Sequence, residues 1–186
     1  LIRDYRGESS LGSYVADCML ERSGADVAIE NAGGLRADIP AGEVTRGNVL
    51  DALPFVNYLW TYDAKGAQIL ELLEHSLSLV HGMAQVAGMR VTYDMSKPEG
   101  HRIVSVEISG KSLDPAGKYK LAITSFIAEG GDEYFTLMKQ VPIQKGPLLS
   151  EMVIEAIRKR REVRQPIPGR LVPLRASDRP PAMSFR

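Results

Sequence analysis

Two short segments with paired glycines carry the side chains best suited to bind a small polar molecule. They are Asn31–Arg36 (NAGGLR) and Phe126–Asp132 (FIAEGGD), and each follows an apolar run typical of a strand. Paired glycines allow positive backbone φ angles and let a ligand approach the main chain closely. The flanking residues add an amide, a cation, an aromatic face and a carboxylate, which suit the base, the ribose hydroxyls and the phosphate of a nucleotide. Two ordinary tight turns would explain the same sequences.

The hydrophobic pattern predicts the elements that must position these segments. Apolar residues at helical spacing predict a first helix with a cap at Ser9 or Ser10 and a stop at Gly24. They also predict a long helix from a cap at Asp63 through Val80. The other predicted elements are helices near 45–53 and 148–161, strands near 25–30, 58–62, 89–93, 103–108 and 119–124, and an edge strand near 169–172.

The order of these elements predicts the fold class. An early helix–strand–helix region precedes a run of alternating strands, whose short connections favour antiparallel pairing. The sequence therefore predicts an α+β fold, a layered α/β/β/α domain with a mixed sheet, a late antiparallel meander and flanking helices. One domain accounts for residues 1–174, because 186 residues suffice for one sizeable core. The Arg-, Pro- and Ser-rich residues 175–186 are predicted to be a disordered tail.

The zero net charge conceals two regions of opposite sign. Residues 158–186 carry nine Lys or Arg against two Asp or Glu, whereas residues 1–157 carry 14 against 21. An acidic body argues against a nucleic-acid partner, and the Arg158–Arg161 run favours a solvated helix end over a polyanion contact. No stretch approaches the ~20 apolar residues of a membrane span. Cys18 is the single cysteine, and its helical setting favours a buried structural thiol.

Six motifs occur in the order and spacing of one known family. They are Glu8–Gly12 (ESSLG), Asn31–Gly42 (NAGGLRADIPAG), Leu53–Asn57 (LPFVN), Leu73–Ser76 (LEHS), Gln85–Gly88 (QVAG) and Phe126–Asp132 (FIAEGGD). From about residue 6 to residue 172, the chain resembles the C-terminal domain of 5′-nucleotidases. In that family the C-terminal domain binds the nucleoside. A separate N-terminal metallophosphoesterase domain holds two divalent metal ions that activate a water to attack the phosphate.

The resemblance implies a role for several side chains. Phe55 and Phe126 correspond to the two rings that sandwich the base. Asp132 corresponds to the acceptor of the ribose hydroxyls, and Asn31 to a polar contact with base or ribose. Stacking on two rings would give affinity without strict choice of base, since stacking is worth roughly 1–3 kcal/mol per base. Plain core packing is the alternative explanation for each ring.

Further positions follow from the same resemblance. Arg36 would lie near the ribose and phosphate, Gly34 and Gly131 would hold their loops in the required turns, and Asn57 is a further substrate-binding candidate. Relatives carry an arginine shortly before the Leu-Gly of the first helix that reaches the phosphate. Arg6 or Arg3 could fill that role, and Arg6 is preferred. The second position of the first loop is Ala32, where the family often has glycine.

The sequence contains no recognisable catalytic or metal site. Two-metal phosphoester hydrolysis needs several Asp, His and Asn ligands, but His75, His81 and His101 belong to no such cluster. His75 is expected to pack or cap within the long helix, and the other two lie in turn-rich polar stretches. No P-loop, Ser-His-Asp arrangement or Cys-x-x-Cys motif is present. The chain alone is therefore predicted not to hydrolyse phosphate esters, and the two metal ions are expected in the N-terminal domain.

Two alternatives to the substrate-binding half of a 5′-nucleotidase are also compatible with the sequence. One is a freestanding nucleoside-binding module, and the other is the substrate domain of a phosphoesterase with a non-nucleotide substrate, as in thiosulfate-oxidising relatives. The chain begins with Leu1 rather than Met, which fits a processed product or a piece of a longer protein. By resemblance alone, the expected location is periplasmic or extracellular.

Overall fold

The computed structural model describes residues 1–174, and the predicted tail at 175–186 lies outside these residues. The described strands are β1 (Val27–Glu30), β2 (Tyr58–Lys65), β3 (Gln85–Ala87), β4 (Met89–Tyr93), β5 (Ile103–Ile108), β6 (Lys111–Ser112), β7 (Lys118–Thr124), β8 (Gln144–Leu148) and β9 (Leu171–Pro173). The described α-helices are α1 (Ser10–Ser23), α2 (Arg46–Ala52), α3 (Gly66–Ser76), α4 (Ser125–Ala128) and α5 (Leu149–Arg160).

The strands form two mixed sheets. The first has the order β3-β1-β7-β2-β8, in which β1 and β7 are parallel and the other pairs are antiparallel. The second has the order β6-β5-β4-β9. Within its described strands, β4 and β9 are parallel and the other neighbours are antiparallel. Helices α1, α2 and α5 cover one face of the first sheet, and α3 and the second sheet share a core with its other face. The predicted layered α+β fold is confirmed.

Small side chains explain how α1 approaches the first sheet. Ala28 pairs with Ala87 on one side and with Ala122 on the other, so three alanines form a row across β3, β1 and β7. All three belong to the core cluster shared with α1. The helix is bounded as predicted, because the Ser9 side chain accepts from the Gly12 N–H and Gly24 ends it with φ 62°.

The long central helix differs from its prediction at both ends. β2 continues through Asp63 to Lys65, because its ladder with β7 runs without interruption to the Lys65–Lys118 pair. Asp63 is therefore a strand residue and not a helix cap. Helix α3 begins at Gly66, where the Lys65 N–H donates to Gln68 Oε1 over 2.9 Å, and it ends at Ser76 rather than Val80.

Two strands also differ from the predicted meander. β7 leaves the predicted meander and joins the first sheet between β1 and β2, while β4 and β5 keep the predicted antiparallel pairing, which the short, unpredicted β6 extends. β3 was not predicted, and Gly88 separates it from β4. Gly88 adopts φ 75°, and a Cβ there would lie 2.2 Å from the Asp26 carbonyl oxygen. Only glycine fits this point, where the chain passes from one sheet to the other.

A polar latch joins the C-terminal strand to the start of the chain. Glu8 Oε2 accepts from the backbone N–H groups of Gly169, Arg170 and Leu171 at 2.7–3.3 Å. The Arg170 guanidinium donates to the Ser13 and Val86 carbonyls at 3.2 and 3.1 Å and reaches an Asp17 carboxylate oxygen at 2.7 Å. These contacts hold β9 in place as the edge strand of the second sheet.

Four other observations complete the fold. The Arg158–Arg161 run lies at the end of α5, as the helix-end interpretation predicted. Cys18 is buried, and burial raises the pKa of its thiol to about 11. On β2, the ring of Trp60 packs against the core, and the Lys145 ammonium of β8 lies 4.4 Å from the ring centroid. No helix within residues 1–174 is long and apolar enough to cross a membrane.

Candidate functional site

A cavity of about 730 Å³ lies at one edge of the first sheet. Its position follows from topology, because β1 and β7 are parallel neighbours and the loops after them leave from the same sheet edge. Eight of the nine predicted site residues line the cavity: Arg6, Asn31, Gly34, Arg36, Phe55, Asn57, Phe126 and Asp132. The ninth, Gly131, does not line the cavity and packs against the ring of Phe126.

The loop after β1 forms a short 3₁₀ turn at Ala32–Gly34. Asn31 is buried, and its side-chain oxygen accepts from Thr124 Oγ1 over 3.4 Å, which ties this loop to the end of β7. The left-handed φ expected for the paired glycines is absent at both Gly33 and Gly34. Gly34 is required for another reason, since a Cβ there would lie 2.6 Å from a carboxylate oxygen of Glu30.

The loop after β7 starts with the single-turn helix α4, which Thr124 caps by accepting from the Ile127 N–H over 3.2 Å. Here positive φ angles do occur, at Gly130 (92°), at Asp132 (52°) and at the following Glu133 (63°). Gly131 itself is not left-handed. A Cβ on Gly131 would lie 2.5 Å from two ring atoms of Phe126, so this glycine packs against the ring and leaves the cavity wall to Phe126.

The two phenylalanines come from different parts of the chain. Phe55 follows α2 and is 48% exposed, while Phe126 is half-buried in α4 and packs against the core. Both rings line the same cavity. The Arg36 guanidinium lies 6.0 Å from the Phe55 ring centroid and donates to the Tyr5 hydroxyl over 2.9 Å. Stacking of a base between the two rings stays a prediction.

Of the two candidate arginines near the chain start, the structure places only Arg6 at the cavity. Arg6 lines the cavity. Arg3 is not among the lining residues, and its guanidinium lies 3.8 Å from Asp38. Arg6 and Arg36 thus supply positive charge to the cavity, and Asp132 supplies a carboxylate.

Sequence reasoning missed two polar groups around Asp132. His81 lines the cavity, and its Nδ1 lies 3.5 Å from Asp132 Oδ1. His75 Nε2 lies 2.7 Å from the Asp132 carbonyl oxygen. Both belong to the end of α3 or the segment after it, which was predicted to be helix through Val80. Because α3 stops at Ser76, the chain turns back and brings Val80 and His81 into the cavity wall.

Tyr5 was also missed, and no helical or strand period marks it. It lines the cavity and holds Arg36 through its hydroxyl. Its backbone carbonyl accepts from the Met83 N–H over 2.8 Å, which fixes the chain start against the segment before β3. The N-terminal residues therefore form part of the site through tertiary contacts alone.

Glu30 is the buried acid behind this site. It is fully buried at the end of β1, and neither of its carboxylate oxygens has a hydrogen-bond partner among the described residues. Burial raises the pKa of this carboxyl from 4.5 to about 8, because an unpaired charge is costly away from water. At neutral pH the side chain is mainly the neutral acid, and it lies directly against Gly34.

The cavity is lined by groups that suit the binding of a small polar molecule. It combines aromatic faces, two guanidinium groups, an amide and a carboxylate, and its volume lies in the range typical of small-molecule sites. Within residues 1–174, no group of three or more His, Cys, Asp and Glu side chains is arranged to hold a metal ion.

Comparisons with known proteins agree on one family. Residues 2–140 match the family described as 5′-nucleotidase, C-terminal domain. The trifunctional nucleotide phosphoesterase protein YfkN of Bacillus subtilis is 39% identical over 140 residues, which covers 68% of this chain and 10% of that protein. Protein UshA of Yersinia enterocolitica is 35% identical over 130 residues, covering 68% of this chain and 23% of that protein.

Solved structures show the same likeness. A 5′-nucleotidase precursor from Thermus thermophilus matches with a TM-score of 0.84 and 33% identity, over 91% of this chain and 36% of that chain. The chain thus spans less than half the length of each of these relatives.

Proposed function

We propose, from the finding that this chain belongs to the family of 5′-nucleotidase C-terminal domains, that it binds the nucleoside part of a nucleotide. In this proposal the full-length enzyme hydrolyses nucleoside 5′-phosphates to nucleoside and phosphate. The observation that carries the proposal is the cavity itself, which gathers eight of the predicted site residues from four parts of the chain.

Each part of a nucleoside has a chemical counterpart in the cavity. The rings of Phe55 and Phe126 offer apolar faces to a base, and stacking of this kind tolerates different bases. The Asp132 carboxylate can accept from ribose hydroxyls, and Asn31 offers a further polar contact. Arg36 can place a cation near the phosphate, where charge-assisted hydrogen bonds are strongest.

The hydrolytic step is assigned to a partner domain. The described residues hold no metal-binding group, so we place the two divalent ions on an N-terminal metallophosphoesterase domain of the same enzyme. Arg6 and Arg36 would then lie on the side of the cavity from which the phosphate reaches that domain. A periplasmic or extracellular location remains a prediction from family resemblance.

The proposal is tested by calorimetry of the chain with adenosine. We expect Phe55→Ala and Phe126→Ala each to weaken binding by roughly 1–3 kcal/mol, the value of one base–aromatic contact. Phe135→Ala is the matched control, because that ring is 66% exposed and does not line the cavity.

Wild-type chain that binds no adenosine would contradict the proposal. Equal affinity for adenosine in the wild type and in both cavity variants would also contradict it.

A further inference from the structure

Asp132 is held in an unusual conformation by contacts outside its own loop. Its backbone is left-handed, with φ 52° and ψ 31°, a region that non-glycine residues rarely adopt. His75 Nε2 lies 2.7 Å from its carbonyl oxygen. Because a carbonyl oxygen only accepts, His75 must carry its proton on Nε2.

The His75 ring is itself fixed from behind. It packs against the buried Tyr134 ring in a T-shaped arrangement, with ring centroids 4.4 Å apart and an angle of 71° between the planes. The neighbouring Glu74 accepts from the backbone N–H groups of Arg102 and Ile103 at 3.0 and 2.7 Å, which anchors the end of α3 to β5. The main chain of Asp132 is therefore positioned by a helix end that is anchored to β5 and packed against Tyr134.

The carboxylate of Asp132 lies between the two sides of the cavity. Oδ1 is 3.5 Å from His81 Nδ1, and the side chains of Asp132 and His81 are 19% and 38% exposed. Oδ2 faces the other loop, 3.4 Å from where a Cβ on Gly33 would be. A distance of 3.5 Å is longer than a good direct hydrogen bond. It is short enough for one hydroxyl oxygen to lie within hydrogen-bond reach of both side chains at once.

We infer that His81 is a specificity-determining residue that recognises a vicinal diol together with Asp132, while His75 is a positioning residue for Asp132. One ligand hydroxyl donates to the Asp132 carboxylate and accepts from the His81 imidazole N–H, and its neighbour donates to the second carboxylate oxygen. The inference rests on the proposed nucleoside binding and assigns the ribose end of the ligand to this side of the cavity.

This arrangement explains how the site would reject sugars without hydroxyls. A ligand that lacks the diol leaves the Asp132 carboxylate desolvated and unpaired, and sites built to bind a hydroxyl discriminate strongly against its absence. Stacking on the base is the same for both kinds of sugar. The two contributions can therefore be measured separately.

The test compares adenosine with 2′,3′-dideoxyadenosine by calorimetry. We expect the wild-type chain to prefer adenosine by at least about tenfold. His81→Ala should reduce that preference by about tenfold while leaving the affinity for dideoxyadenosine unchanged. His81→Gln, which keeps an N–H donor, should retain part of the preference and also serves if the alanine variant folds poorly. His101→Ala removes an exposed histidine from a remote turn and should change neither affinity.

A double-mutant cycle tests the shared hydroxyl. Asp132→Asn should lower the preference for adenosine, and adding His81→Ala should then cost much less than it does in the wild type. Equal weakening of both ligands by His81→Ala would show a merely structural role and overturn the inference. Adenosine binding with an unchanged preference would overturn it too, while leaving the proposed function intact. Failure of the wild-type chain to bind either compound would refute both.

Discussion

Gly131 has no room for a side chain, because the Phe126 ring lies against its α-carbon. Its role is steric, and the same is true of Gly34 beside Glu30. The positive φ angles of the second loop occur instead at Gly130, Asp132 and Glu133. A glycine in a binding loop can thus be required by what packs against it rather than by its own backbone angles.

Gly131→Ala should displace the Phe126 ring. The new Cβ would lie 2.5 Å from ring carbons, so the ring must move and its contact with a base is lost. We expect adenosine affinity to fall by no more than the Phe126→Ala value, roughly 1–3 kcal/mol. Calorimetry measures this loss.

Gly47→Ala is the matched control, because the nearest heavy atom to its new Cβ is Thr45 Oγ1 at 3.5 Å, an ordinary contact. Adding Gly131→Ala to Phe126→Ala should cause little further loss. Full additivity of the two changes would contradict this account of Gly131.

At the scale of single residues, side-chain type identified several site residues in the sequence. Contacts between distant segments could not be predicted in this way. Asn31, Arg36 and Asp132 were singled out by side-chain type beside glycines. Phe55 was recognised through the family resemblance. His81 escaped notice because its importance depends on where α3 ends, and the hydrophobic stripe continued past that point to Val80.

At the scale of elements, β1 ends in a buried acid. Glu30 prefers to be neutral in the folded chain, since its pKa there is about 8 against 4.5 in the unfolded chain. The folded state therefore binds the proton more tightly than the unfolded state does. Stability from this group is complete below pH 4.5 and is lost as pH rises to about 8.

Glu30→Gln should remove this pH dependence. Between about pH 5 and about pH 8 the wild type should lose up to about 1.4 kcal/mol of unfolding free energy per pH unit relative to the variant. Urea denaturation at several pH values measures the difference. Glu155→Gln on the exposed face of α5 serves as control and should follow the wild type. Parallel stability curves for the wild type and Glu30→Gln would show that Glu30 does not titrate as described.

The sequence predicted the positions of strands more reliably than it predicted which strands pair with each other. Alternation identified β4, β5 and β7 as strands, but it carried no information on which sheet each joins. β7 pairs with β2 and β1, which lie far earlier in the chain, so its place is fixed by tertiary pairing. Gly88 marks the switch between the sheets, yet in the sequence it resembles any turn glycine.

At the scale of the whole molecule, the latch between Glu8 and residues 169–171 joins distant ends of the described chain. Arg170 strengthens it by donating to two carbonyl groups and an acid, and its side chain is only 20% exposed. Hydrogen bonds to charged groups are worth about 1.5–3 kcal/mol when protected from water. The latch is therefore a substantial contribution to the stability of the second sheet.

Arg170→Ala should destabilise the chain by about 2–3 kcal/mol, since several of its hydrogen bonds are lost together. Chemical denaturation followed by circular dichroism measures the change. Arg164→Ala is the control, because that side chain is 82% exposed and exposed ion pairs contribute little. Similar midpoints for the two variants would show that the Arg170 side chain does not stabilise the fold.

The cavity exists because β1 and β7 lie side by side, and this arrangement could not be read from local patterns. The family resemblance supplied it indirectly, by implying that the two loops meet. What the resemblance could not supply was the surrounding frame of Tyr5, His75 and His81, which depends on how the segments before α1 and after α3 fold back.

Trp60 is the one tryptophan among the 186 residues, and a charged ammonium group of the neighbouring strand lies over its ring. The indole emission of this protein therefore comes from a single known position, at the border between a central strand and the outermost one. Any event that detaches the outer strand removes the cation from the ring and changes the spectrum. Intrinsic tryptophan fluorescence can therefore report the detachment of the outermost strand without an attached dye.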